Sequence, residues 1–412
     1  MIRTLRGYEP VFANQLASCT IDMAIKYQDS EYVEKALKNF RKIFAGLRTK
    51  VVDGSFAKAK EMELLKLPNY IQNCKEAACW IGEHASPIDE VLVRIARNDR
   101  LIAVTSNHSL TDAGFCIKAI QHSLDDNIGE LKEFPLEEEY AFRKEIEEAK
   151  KHNPIIVPYK MNSSALCNDF DYLAPKGVPE KVVRITMNAK DLQCYDQKRN
   201  VLKSLTESMF TASCISLNAF GDNVRAPIGT PLIFDLRRFV DPSRVNWSYG
   251  NCVARLNIVV YPKPDNTLSD VYKMIRDEIN RVKKHDIFTA FNLPYNGIKN
   301  HAYPCISNAG PVKVEKPIVD FDVKSGIFIS DKFKEDDENG FSIHIFSFSK
   351  IFSVRNLVEM NIRIPRTKFS YINEMKFIQS FKHFLTKISP STKYIDAFNE
   401  IKHLQNKIEK EY

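Results

Sequence analysis

The sequence predicts an α/β fold organised in two units. Three observations carry that expectation. Apolar runs of strand length alternate with segments of helical periodicity. The alternation occurs on both sides of a stretch broken by prolines. The 412 residues, 44% apolar, suffice for two cores or one large one. A charged fraction of 27% with the signs well mixed argues against a coiled coil, a collagen-like fibre or a largely disordered chain.

The elements follow in order. EYVEKALKNFRKIFAGL, residues 31–47, places Val33, Leu37, Phe40, Phe44 and Leu47 on one helical face. EVLVRIARNDRLIAVTSNH reads as two strands joined around Arg97–Arg100, with Asn98 and Asp99 as turn residues. DAGFCIKAIQHSL, residues 112–124, is helical, with Phe115, Ile117, Ala119 and Ile120 free to pack. Asp112 stands at its start, where a carboxylate meets unpaired amides. A charge-dense surface helix is expected over 137–154. Pro154, Pro158, Pro175 and Pro179 then interrupt regular structure and set the domains at 1–165 and 180–412. VVRITM is a strand and residues 201–220 are a helix; PLIFDLRRF and CVARLNIVVY are strands. Leu268, Val271, Ile275, Ile279 and Val282 mark a helix over 268–284. GIFIS and SIHIFSFS are late strands, and a final helix near 371–388 offers Met375, Ile378, Phe381 and Leu385 to a core.

Composition removes several function classes. A net charge of +7 permits steering toward an anionic ligand, but no basic stripe suited to nucleic acid is visible. The start, MIRTLRGYEPVFANQL, lacks the apolar segment of a secretory signal, and no later run is long enough to span a membrane. Nine cysteines, an odd number without C-x-x-C pairs, are read as reduced thiols of a cytoplasmic protein. The histidines do not cluster at ligand spacing, so no metal site is expected. No glycine-rich dinucleotide fingerprint follows a strand.

Chemistry concentrates in NHSLTDAG, residues 107–114, directly after the apolar run LIAV. Its polar groups either simply end the strand or hold a proton-transfer site at its mouth. A neutral imidazole at His108 takes a proton from an alcohol or amine while its second nitrogen holds a structural bond. Asp112 braces the turn, and Gly114 lets a helix start close to another backbone. In PLIFDLRRFVDPSRVNWSYGN, strand alternation puts Asp235 and Arg237 on one face. A semi-buried Arg237 needs an anionic partner, either Asp112 or Asp235. Gly250 punctuates the following loop, and Asn251 holds it by side-chain hydrogen bonds. CISNAGPV, residues 305–312, turns through Asn308 and Gly310; Ser307 or Asn308 can donate to an oxyanion.

Taken in order, H-S-L-T-D-A-G, then D-L-R-R-F with G-N downstream, then S-N-A-G resemble the CoA-dependent acyltransferase superfamily. This includes chloramphenicol acetyltransferase-like enzymes, alcohol acetyltransferases, plant-type acyltransferases and condensation domains. The resemblance covers most of the chain. It implies two similar chloramphenicol acetyltransferase-like α/β sandwich domains with an active-site channel between them. The first domain would carry the histidine motif, the second the D-L-R and S-N-A-G segments. By resemblance, His108 is the general base and Asp112 the structural aspartate, with Arg237 neutralising that aspartate. Gly250 and Asn251 form the turn after the D-x-R segment, and Ser307 and Asn308 border the channel. The resemblance further implies an acyl-CoA cosubstrate with no tightly bound cofactor, and a small-molecule hydroxyl or amine acceptor. Its alternatives are a phosphopantetheinyl carrier protein as donor and a non-catalytic interaction protein on the same scaffold. Asn107 stands where condensation domains usually carry an additional histidine, which favours a free-standing enzyme. Ala113 replaces a glycine that often follows the aspartate. The late D-F-G-W-G segment of the plant type is absent, VDFDVKSG being no substitute.

Overall fold

Two mixed β-sheets, each sheltered by helices, organise the chain. They are seen in a computed structural model that describes residues 2–5, 9–15, 17–126, 128, 138–149, 151, 180–221, 224, 227–239, 250–285, 304–329, 343–353, 355–365 and 369–411. The five-stranded sheet runs Ile318–Ile329, Ala17–Tyr27, Leu101–Asn107, Val93–Arg97, Leu65–Lys66. Its neighbours are antiparallel except for the last pair. The strand Ala17–Tyr27 alternates cleanly. Ile21, Met23, Ile25 and Tyr27 meet the helices Ser30–Ile43 and Ala113–Gln121 on one face. On the other, Ala24, Ala96 and Ala103 lie under Ala77, Ala78 and Ile81 of the helix Cys74–Glu83. Small residues on both sides of that contact let helix and sheet approach closely.

The six-stranded sheet runs Val253–Val260, Ile228–Asp235, Cys305–Lys313, His344–Ile351, Asn356–Pro365, Glu180–Asn188. Cys305–Lys313 runs parallel to the strand on each side of it, and the remaining pairs are antiparallel. The helices Leu205–Asn218, Leu268–His285, Tyr371–Lys387 and Tyr394–Glu411 contribute to its core. Leu205–Asn218 is buried almost all round, because it lies among the sheet and three further helices.

The sheets do not follow sequence order. Ile318–Ile329, from the later half of the chain, forms the edge of the first sheet beside Ala17–Tyr27. Apolar contact joins the sheets through Phe321 and Phe348, whose rings stack at 5.5 Å. Beside it runs a seam of ion pairs, each with one buried partner: Arg184 to Asp322 at 2.7 Å, Lys350 to Asp320 at 3.0 Å, and Lys75 to Glu359 at 2.9 Å. The expected boundary at Pro154–Pro179 and Cys167 lie outside the described residues.

Several local expectations change. The first helix stops at Ile43 and gives way to a 3-10 turn, Ala45–Arg48. PLIFDLRRF is not one strand. Pairing ends at Asp235, whose carboxylate accepts the Arg237 amide at 3.1 Å and winds Leu236–Phe239 into a 3-10 turn. S-N-A-G is not a free turn but part of the strand Cys305–Lys313, with a register shift between Asn308 and Pro311. The helix over Tyr371–Lys387 is not the last; Tyr394–Glu411 follows it. The described cysteines form no disulfides. No described helix is long and apolar enough to cross a membrane. Among the described residues, no group of three or more His, Cys, Asp or Glu side chains could hold a metal ion.

Candidate active site

The hairpin strand Leu101–Asn107 is buried throughout and ends one residue before His108. The Asn107 side chain accepts the Ser109 amide at 2.9 Å, and the Thr111 hydroxyl donates to Ser106 at 2.8 Å, which closes a rigid turn. His108 is held at both backbone ends. Its amide donates to the Cys19 carbonyl at 2.8 Å, and its carbonyl accepts from the Asn251 side chain at 2.7 Å. The ring stacks on Phe12 with centroids 4.0 Å apart and planes 3° from parallel. Burial is the main cause lowering its pKa below the ordinary histidine value; Asp112 opposes the shift and Arg363 adds to it.

Asp112 serves the scaffold. Its carboxylate caps the helix Ala113–Gln121 by accepting the Phe115 amide at 2.7 Å, and it also accepts the Cys252 amide at 2.7 Å. Arg237 grips the same carboxylate with two nitrogens, at 3.1 and 2.9 Å, and also donates to Asp235 at 2.9 Å. Both expected partners are therefore engaged. Arg237 donates in addition to the Gly250 carbonyl at 2.8 Å, which accepts the Asp112 amide as well. Gly250 is required by proximity: a Cβ there would stand 1.6 Å from the Leu110 carbonyl oxygen. Gly114 leaves room for the Asp235–Arg237–Asp112 cluster, since a Cβ at that position would lie 2.9 Å from an Asp235 oxygen.

His108 lines a cavity of about 540 Å³ whose wall draws on both sheets, including Cys19, Ser325, Leu232 and Ser307. Strand register orders one side of it. Cys305 pairs with His344, and His344 with Arg363, so these three share one level. Ala309 lies four residues farther along, about 13 Å away on strand geometry, and there accepts from Arg238. Ser307 lines the wall between these levels. The Asn308 amide is already engaged, donating to Thr206 at 3.0 Å and accepting from Gly310.

His344 is not singled out by the sequence pattern, which marks SIHIFSFS only as a strand. Its ring lines the cavity, with Nδ1 3.3 Å from the Ser325 hydroxyl. Burial, Arg363 and His108 hold its pKa well below the ordinary value. Strand alternation toward a polar wall is the available signal, but which face lines a cavity depends on the neighbouring sheet.

No family model and no curated protein matches the chain. Solved structures do. Polyketide synthase associated protein 5 from Mycobacterium tuberculosis is similar over 94% of this chain and 98% of its own, at 13% identity and a TM-score of 0.63. A mutant starter condensation domain of rhizomide synthetase, in complex with C8-CoA, covers 96% and 97% at 11% identity, with a TM-score of 0.59. The chain shares the fold of these proteins. Trichothecene 15-O-acetyltransferase from Fusarium sporotrichioides is similar as well, at 10% identity, with 93% and 94% covered and a TM-score of 0.54.

Proposed function

We propose that the protein is an acyltransferase that moves an acyl group from an acyl-CoA thioester to a hydroxyl or amine acceptor, with His108 as general base. The observation that carries this reading is His108, whose ring lines the wall of a cavity and stacks on Phe12 and whose backbone is bonded at both ends. Burial favours its neutral form, which is the form able to accept a proton. Asp112 is engaged by Arg237 and two backbone amides, so its role is to position the turn.

In this mechanism the acceptor O–H or N–H gives its proton to the imidazole as the new C–O or C–N bond forms at the thioester carbonyl. Charge develops on the carbonyl oxygen, where the Ser307 hydroxyl is the candidate donor. Collapse breaks the C–S bond, and the imidazolium returns the proton to the departing thiolate. No acyl-enzyme is required. Cys116 is a poor nucleophile because burial pushes its thiol well up from the ordinary value. The same reading treats the two sheets as the centres of two lobes, divided in sequence between 165 and 180 except for Ile318–Ile329, which crosses back to the first sheet, with the cavity as the channel between them.

The test is a panel of acyl-CoA donors against alcohol and amine acceptors, following free thiol and acylated product by mass. His108→Ala should lower kcat/KM by about 10²–10⁴-fold while circular dichroism is unchanged. Acyl-CoA binding without turnover across the panel would instead favour a non-catalytic interaction protein.

A further inference from the structure

We propose that His344 and Ser325 are the specificity-determining pair for the acceptor, and that the acceptor carries a second hydroxyl group which they bind while the first reacts. The inference rests on the acyl-transfer reading above. The two side chains come from different sheets, Ser325 from the strand Ile318–Ile329 and His344 from the strand His344–Ile351. They meet at the cavity wall, with the imidazole Nδ1 3.3 Å from the hydroxyl. Ser325 pairs with Ile21, two residues beyond Cys19, whose carbonyl accepts the His108 amide. Two residues along and one strand across set Ser325 about 8 Å from Cys19. One small molecule therefore spans the reacting imidazole and the pair.

Nothing in the transfer step uses this pair. The His344 ring is held neutral by burial and by the positive charge of Arg363, its neighbour in register on the next strand. A neutral imidazole has one donor and one acceptor nitrogen. If the Ser325 hydroxyl donates to Nδ1, then Nε2 carries the proton and donates to a ligand; if Nδ1 donates, Nε2 accepts. A hydroxyl satisfies either arrangement, whereas a carbonyl or an ammonium satisfies only one. An ammonium is disfavoured further, because Arg363 and Arg255 both act on His344 with positive charge. The acyl chain beyond the thioester carbonyl offers no group for the pair to bind, but an acceptor with a second hydroxyl does. An acceptor that lacks this hydroxyl leaves a desolvated imidazole nitrogen without its partner, which is how a cavity rejects a close analogue.

The test uses one acyl donor and a graded series of alkanols, each matched by its diol and its amino alcohol. Wild type should favour the diol over the alkanol about tenfold in kcat/KM where the spacing fits, and should disfavour the amino alcohol at neutral pH. His344→Phe and Ser325→Ala should raise KM for that diol about tenfold, with a much smaller change for the alkanol. His344→Gln, which keeps a hydrogen-bonding end, should retain part of the preference. Repeating the series with a longer acyl group should leave these ratios unchanged. The pair is overturned, with His108-dependent transfer intact, by any of four results: no diol preference in wild type, an amino alcohol as good as the diol, equal losses on diol and alkanol in His344→Phe, or ratios that follow acyl length. Should wild type transfer to no acceptor from either acyl-CoA or an acylated carrier protein, the acyl-transfer reading fails, and saturation-transfer NMR decides the pair by binding alone. Contact with the diol that is weaker for the alkanol and lost in His344→Phe supports it; equal contact in both proteins removes it.

Discussion

His108 and His344 face the same cavity from different sheets, and burial pushes both imidazoles toward the neutral form. On unfolding, each returns to an ordinary pKa of about 6.5 and takes up a proton that the folded chain refuses. Below that pH the unfolded state binds more protons, so stability falls as pH drops through about 6.5 and levels off only below the folded pKa values. Thermal melts should therefore be flat between pH 8 and 7 and decline toward pH 5. His344→Gln should flatten part of the decline; an unchanged slope would assign the uptake to other groups. On the proposed mechanism the acid limb of kcat/KM also lies below 6.5. His108 is legible because a polar cluster interrupts a buried run within eight residues. His344 is not, since one histidine in a strand carries no local sign of the wall it faces.

The stretch from Asp112 to the helix it caps is equally local, and the helix starts where its capping residue places it. The segment around Arg237 is legible in chemistry but not in shape. A strand-like run calls for an anionic partner, yet a 3-10 turn brings Asp235 and Arg237 together. Glycine at this junction makes the coupling testable. Gly250→Ala would force the backbone away from Leu110 and move Asn251, which holds the His108 carbonyl. Both melting temperature and transfer rate should drop, with a stability cost of about 1–3 kcal/mol from overpacking alone. Gly310→Ala is the control: open space surrounds it, and its φ of +82° is the only obstacle. It should cost about 1–2 kcal/mol. Equal losses of activity in the two variants would argue against a special role for the Gly250 contact. The strand Ala17–Tyr27 and the helices Cys74–Glu83 and Tyr394–Glu411 are absent from the sequence-based expectations, although the first shows plain alternation.

Across the whole molecule, the seam between the sheets is both apolar and charged. Arg184 and Asp322 are buried partners, so removing one strands the other in a poorly solvated place. Arg184→Met should destabilise the fold by about 3–5 kcal/mol, whereas Arg184→Met combined with Asp322→Leu should recover most of that. Urea melts of the two single variants and the double variant measure the coupling. Additive losses would show that the pair contributes no mutual stabilisation.

The order of most strands and helices, the turn at Asn98, and the histidine–aspartate segment were set by the sequence alone. Periodicity, capping and turn chemistry act between residues a few positions apart. Only the tertiary structure decided that Ile318–Ile329 joins the first sheet, that His344 shares a cavity with His108, and that Lys283 lies over the Phe239 ring. Those arrangements depend on contacts across long separations, such as 125 residues between Arg237 and Asp112 and 138 between Arg184 and Asp322. No local pattern encodes such pairings; they follow from burying both sheets at once and satisfying the charges enclosed with them.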